Sequence, residues 1–292
     1  MRDELSHEIL RFLDQIELGS SLKSKNWLSG RHQSLMKGDS PEFKEFREAH
    51  PGDSYRQIDW KSSARSSKKL VREQEHQGTL EHWIVLDTSR SMDFPQDESN
   101  KHRRQKFLCG LLMYLLQSQG DHFSLNFNTD HGPRCLAPSR GPDALHRFIG
   151  ELADLETEPS HDQINLLTQV QSQVTRPAHL WVITDFDRDP EPLLAELKKL
   201  KQFGHEVRAL HLFHPSEREL SWQGLVQFED LEDPVSQQEL TPETIAQEYQ
   251  VAYSQHINSV EKHCNLNEIK LCSIDVTQSP EHWITSLFSS NE

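Results

Sequence analysis

The sequence predicts an α/β protein: a mainly parallel sheet with helices on both faces, preceded by a small β-rich N-terminal subdomain. Three observations lead there. Short apolar runs alternate with amphipathic segments from residue 82 onward, the pattern of a parallel sheet with crossover helices. Two of these runs, Ile84-Val85-Leu86-Asp87 and Leu180-Trp181-Val182-Ile183-Thr184-Asp185, end in an acid. Upstream, residues 41–76 interleave charged groups with Phe43, Phe46, Tyr55, Ile58 and Trp60, which reads as short half-buried strands.

Taken in order, Leu5, Ile9, Leu10, Phe12, Leu13 and Ile16 recur at helical spacing and Gly19 follows as a stop, so residues 3–18 form an amphipathic helix. Residues 20–40 are polar and read as a loop. Pro51-Gly52-Asp53 is a turn between two short strands. There Asp53 and Asp59 would pair with Arg47, Arg56 or Arg65, fixing the subdomain's shape. Strands are predicted at Leu70–His76 and His82–Asp87. Lys101–Gln119 is a helix with Gly120 behind it. Phe123–Phe127 alternates as a strand. Pro142 opens a helix, and another covers Asp162–Val174. The strand His179–Asp185 precedes a helix from Pro190 to Phe203, stopped by Gly204. A strand over Glu206–Phe213, a hairpin around Leu220–Leu231, a helix over Pro242–His263, a strand over Ile269–Ile274 and a helix begun by Ser279-Pro280 complete the chain. The division is 1–80, N-terminal helix and β-rich subdomain, and 81–292, the α/β domain with a C-terminal extension.

Composition narrows the function. The 292 residues carry 31 Lys/Arg and 46 Asp/Glu, a net charge of −15. Residues 20–72 hold twelve Lys/Arg against six Asp/Glu, so this segment carries +6 and the remainder −21. A basic segment on an acidic body argues against general nucleic-acid binding and leaves a face for an acidic partner or for the protein's own acids. No apolar stretch is long enough to span a bilayer, and the start Met1-Arg2-Asp3-Glu4-Leu5 has no signal-peptide pattern, so no membrane anchor and a cytoplasmic location are expected. The four cysteines show no metal or disulfide spacing and read as reduced thiols.

The chemistry concentrates at Asp87-Thr88-Ser89-Arg90-Ser91. Asp87 stands where a strand ends, and Ser89 and Ser91 follow at alternate positions. One carboxylate and two hydroxyls on a tight loop are hard donors suited to Mg²⁺, Mn²⁺ or Ca²⁺. An Asp with nearby Ser is also ordinary turn chemistry. Asp185 ends a second strand of the same sheet. In open α/β sheets ligands bind beyond the carboxyl ends of the strands, so the two acids can converge on one cation.

Asp87-x-Ser89-x-Ser91 resembles the metal-ion-dependent adhesion site (MIDAS) of von Willebrand factor A domains. Glu42-Phe43, Arg47, Gly52-Asp53, Arg56, Ile58-Asp59-Trp60 and Ala64-Arg65, with Ile183-Thr184-Asp185-Phe186 and His214-Pro215-Ser216-Glu217-Arg218-Glu219-Leu220, resemble the family called domain of unknown function number fifty-eight. The resemblance implies a von Willebrand A-like domain binding Mg²⁺ through Asp87, Ser89, Ser91 and Asp185. It also implies a partnership with a MoxR-type AAA+ ATPase in assembly or activation of client proteins. The adhesion site normally adds a Thr from a second loop. Here that loop is Glu156-Thr157-Glu158-Pro159-Ser160-His161-Asp162, and Ser160, Thr157 or His161 is the candidate. The expectation is a non-enzymatic, metal-dependent interaction module. Two alternatives stay open. One is a scaffold with a degenerate site. The other is a metal-dependent phosphotransferase built on Asp185-Phe186-Asp187, for which no motif supplies a catalytic Lys and no glycine loop cradles a phosphate.

Overall fold

The computed structural model describes residues 80–157, 162–187, 189–220, 222–231 and 236–289, the backbone of 41–48 and 70–76, and the single positions Arg11 and Ser63. The chain divides into two compact units, Leu28–Thr79 and the remainder. In the first, β1 (Pro41–Glu48) pairs antiparallel with β2 (Leu70–His76), and the register shifts between Phe43 and Glu45. The partner of β1 is thus the Leu70 strand. The proposed ion pairs of Asp53, Asp59, Arg47, Arg56 and Arg65, and the helix over 3–18, lie outside the described residues or side chains.

The second unit is built on a six-stranded sheet. Its strands are β3 (Glu81–Leu86), β4 (His122–Thr129), β5 (Gly132–Ser139), β6 (His179–Thr184), β7 (Glu206–Phe213) and β10 (Lys270–Asp275), in the order β10-β7-β6-β3-β4-β5. All neighbours are parallel except β5, which runs antiparallel to β4 at the edge. The sequence reading did not foresee β5. Its segment, Gly132-Pro133-Arg134-Cys135-Leu136-Ala137-Pro138-Ser139, holds two prolines, which an edge strand tolerates and a central one does not.

Trp83, Ile84, Val85 and Leu86 of β3 are all buried, as a strand covered on both faces requires. Trp83 and Val85 lie in one apolar cluster with Leu166 and Val170 of α3 (Gln163–Gln173), Leu194 and Leu197 of α4 (Glu191–Gln202) and Val260 of α6 (Pro242–Leu266). Ile84 and Leu86 alternate to the other face. There α1 (Lys101–Gln119) packs on α2 (Pro142–Asp154), and Phe107 of α1 meets Trp283 of α7 (Pro280–Ser289) edge-on, with ring centroids 6.3 Å apart. Asn100 caps α1 by accepting the Arg103 N–H at 2.9 Å. Gly120, at φ 80°, ends it in the left-handed conformation that favours glycine.

α5 (Pro215–Arg218) is a single turn after β7. β8 (Val226–Glu229) and β9 (Gln237–Leu240) form a separate antiparallel hairpin. The predicted hairpin over Leu220–Leu231 therefore contains its first strand only. The second, Gln-Gln-Glu-Leu, has no apolar alternation to announce it. Among the described residues no helix is long and apolar enough to cross a membrane.

Candidate metal centre

The topology decides where a site can form. From β3 the chain crosses through α1 to β4 on one side; from β6 it crosses through α4 to β7 on the other. The loops leaving β3 and β6 therefore diverge at the carboxyl edge of the sheet, the topological position at which open α/β sheets bind ligands. Asp87 and Asp185 each follow the last residue of one of these strands.

The Asp87 N–H donates to the Ile183 carbonyl at 3.0 Å, fastening the β3 loop to β6. Asp87 Oδ1 accepts the Ser89 N–H at 2.9 Å, and Oδ2 accepts the Thr184 hydroxyl at 2.6 Å. The Ser89 and Ser91 hydroxyls are 2.8 Å apart. The Ser91 hydroxyl favours the ionised form of both Asp185 and Asp187. A one-turn 3₁₀ helix, Arg90–Asp93, presents Ser91, while Thr88 donates to the Asn128 carbonyl at the end of β4. Asp87, Ser89, Ser91 and Asp185 are all buried.

The turn after Asp185 is bent in an uncommon way. Phe186 has φ 52°, a region bulky side chains rarely adopt. It is held there by burial of its ring, by a 3.4 Å N–H bond to Thr184 Oγ1 and by a 2.5 Å contact between its carbonyl and His256 Nε2 of α6. The bend returns the chain so that the Asp187 N–H donates to Asp185 Oδ1 at 3.3 Å. Burial first, and then Asp185 and Asp87, push the Asp187 carboxyl up to about 7. Crowding of this kind disfavours a third negative charge beside the other two.

One cation is already present. Lys101, the first residue of α1, is 1% exposed, and its Nζ donates to Asp185 Oδ2 at 2.7 Å and to Glu217 Oε1 of α5. Burial would push the ammonium down, but Asp185 and Glu217 more than offset it and hold Lys101 charged. Burial likewise opposes ionisation of Asp185, and the Lys101 charge outweighs it, keeping that carboxyl below its usual range. Glu217 is raised by its burial, with Lys101 opposing. Its Oε2 accepts the His214 N–H at 2.7 Å, and its carbonyl accepts the Tyr249 hydroxyl of α6 at 2.6 Å.

Sequence reasoning brought forward Asp87, Ser89, Ser91 and Asp185, and the fold brings these four together. Of the second-loop candidates, Ser160 and His161 lie outside the described residues, and Thr157 is half-buried. Thr184, Asp187, Lys101 and Glu217 were not assigned to the centre. Lys101 carried one signal. A cation in the first turn of a helix opposes the helix dipole, so its place there asks for anionic partners.

Two carboxylates and two hydroxyls, buried at one sheet edge beside a third, crowded carboxylate, are a donor set that fits a hard divalent cation. Among the described residues no three His, Cys, Asp or Glu side chains are arranged to hold a metal ion. A site of this composition takes half its protein donors from serines.

A family profile described as protein of unknown function DUF58 matches residues 45–261, about three quarters of the chain. The chain belongs to the DUF58 family. This DUF58 protein is 26% identical over 227 residues to an uncharacterized protein of Mycobacterium tuberculosis, covering 76% of this chain and 71% of that one. Among solved structures it is similar to BatB from Bacteroides thetaiotaomicron, at 18% identity and TM-score 0.44, covering 72% of this chain and 96% of BatB. It is also similar to the von Willebrand A domain of SpRpn10, at 13% identity and TM-score 0.36, covering 46% of this chain and 75% of that domain. The family and the mainly parallel α/β sheet are those the sequence led us to expect.

Proposed function

We propose that this DUF58 protein is a non-enzymatic, cytoplasmic protein-interaction module that holds Mg²⁺, or Mn²⁺ or Ca²⁺ in its place, through Asp87, Ser89, Ser91 and Asp185, with Ser160 as the further candidate donor. The observation that carries this reading is the convergence of those four buried oxygen-bearing side chains at the carboxyl ends of β3 and β6. When bound, the cation supplies a Lewis-acidic position for one more anionic ligand. The protein residues do the rest. Asp87 ties the two loops together, Ser89 and Ser91 orient their hydroxyls on one another, and Asp185 is kept ionised by Lys101. The partner we propose offers a surface carboxylate, and the family resemblance points to a MoxR-type AAA+ ATPase acting with client proteins.

Co-purification of such an ATPase with the full chain, with Mg²⁺ present and with chelator present, tests this. Capture should need the metal and disappear with Asp87→Ala. Capture unchanged by both would remove the metal from the interface.

A further inference from the structure

Lys101 is buried in a costly place. Its ammonium stands at the positive end of α1 and is shielded from bulk solvent. It is kept there by Asp185 on one side and Glu217 on the other, residues 84 and 116 positions away in sequence. These two acids have different duties. Asp185 belongs to the proposed cation centre, where Ser91 also engages it. Glu217 stands outside the centre and is fixed by its own surroundings: the His214 N–H holds its carboxylate, and the Tyr249 hydroxyl holds its carbonyl. The lysine stem, with four rotatable bonds, can move its charge between them without moving backbone.

We propose that Lys101 is a tethered competitor for the metal centre: its ammonium occupies Asp185 when the centre holds no divalent cation and shifts onto Glu217 when one binds, so the Lys101–Glu217 pair sets the affinity of the centre. This deepens the regulation of the centre proposed above and rests on that reading. A divalent cation on Asp185 repels an ammonium sharing the same carboxylate, and Glu217 is the anion positioned to accept the displaced charge. The centre thereby keeps a low intrinsic affinity. It gains its cation most readily when a partner carboxylate arrives with it, which makes binding conditional on the partner.

The test is Mn²⁺ binding to the full chain, followed by loss of the free-ion electron paramagnetic resonance signal, for wild type, Asp87→Ala, Lys101→Met and Glu217→Gln. Removing the ammonium should tighten Mn²⁺ binding by about tenfold or more. Removing the Glu217 charge leaves the ammonium with Asp185 alone and should weaken binding by about threefold or more. Opposite signs are the signature, because a purely structural pair would lower or leave unchanged both affinities. If wild type binds in an Asp87-dependent way and Lys101→Met binds no more tightly, the competitor role falls while the metal centre stands. If no variant binds Mn²⁺ better than Asp87→Ala, both fall together. Near-ultraviolet circular dichroism reports folding. Should Lys101→Met not fold, Glu217→Gln decides alone, and an affinity equal to wild type overturns the proposal.

Discussion

Replacing Asp185 with Asn, in chelator so that no cation contributes, isolates the ion triad beneath the centre. Asn keeps the shape of the side chain and removes its charge. Lys101 is 1% exposed and the Asp185 side chain 3% exposed, so water does not screen this pair. Breaking a buried ion pair by removing one partner costs about 3–5 kcal/mol, since the other charge stays buried. Here Glu217 retains the ammonium, and its 24% exposed side chain makes that second pair weaker than a fully buried one. We therefore expect Asp185→Asn to lose about 2–4 kcal/mol. Lys101→Met should lose a similar amount, because it leaves two carboxylates facing each other. The double variant removes both charges of the more deeply buried pair and should be less destabilised than the two losses added, by at least about 1 kcal/mol of coupling. Urea unfolding followed by circular dichroism gives all three values, read from the midpoint at constant slope. Losses below about 0.5 kcal/mol, or strict additivity, would refute the claim that these charges are buried together.

Two further outcomes follow from residues near the centre. Burial first, and then the charge of Lys106, press the His102 imidazole down to about 4 from an ordinary 6.5, while its Nε2 hydrogen-bonds the Leu155 carbonyl at 3.1 Å. A depressed histidine means the unfolded chain binds the proton first. The His102 contribution should be level above pH about 6.5 and fall between there and pH 4 by up to about 3 kcal/mol, against the opposite slope of Asp187, whose raised carboxyl takes its proton first in the folded chain. His211 shares this window, pressed to about 4 by its own burial. His102→Gln should flatten part of the loss in urea titrations run from pH 7 to 4, and an unchanged slope would count against a neutral buried His102. Phe186→Gly relieves backbone strain of about 1–3 kcal/mol but deletes a ring buried in the core, worth about 3–5 kcal/mol. Burial should win, so thermal unfolding of Phe186→Gly should begin lower than wild type, and a rise in Tm would mean the strained bend dominates.

The sheet was legible because its strands are apolar runs and its helices carry clear stops. β3 and β6 were located to within a residue because each run ends at an acid, and Gly120 closes α1 where its lack of a Cβ permits positive φ. β5 escaped because Pro133 and Pro138 mask an edge strand that a central-strand pattern excludes. The hairpin was misplaced because β9, Gln237–Leu240, has no apolar alternation, and local pattern carries no register for such a strand. Part of the centre was legible for the same reason as the strands: Asp87, Ser89, Ser91 and Asp185 sit at fixed offsets from strand ends. Lys101 and Glu217 were not, because what joins them to Asp185 is a contact across 84 and 116 residues of chain, made only once α1, β6 and α5 are assembled. No local periodicity encodes such a pairing. Asp187 needed the left-handed turn at Phe186, which nothing in the residue types demands, to be folded back against Asp185.

Thermal unfolding of the chelated full chain, titrated with Mg²⁺ and with Mn²⁺, for wild type and Asp87→Ala, tests the metal-binding claim most directly. A ligand that binds only the folded state adds about 2.7 kcal/mol at a hundredfold excess over its Kd. The wild-type Tm should rise with metal, and that rise should be absent in Asp87→Ala. An equal rise in both proteins, or no rise in either at millimolar cation, would contradict it.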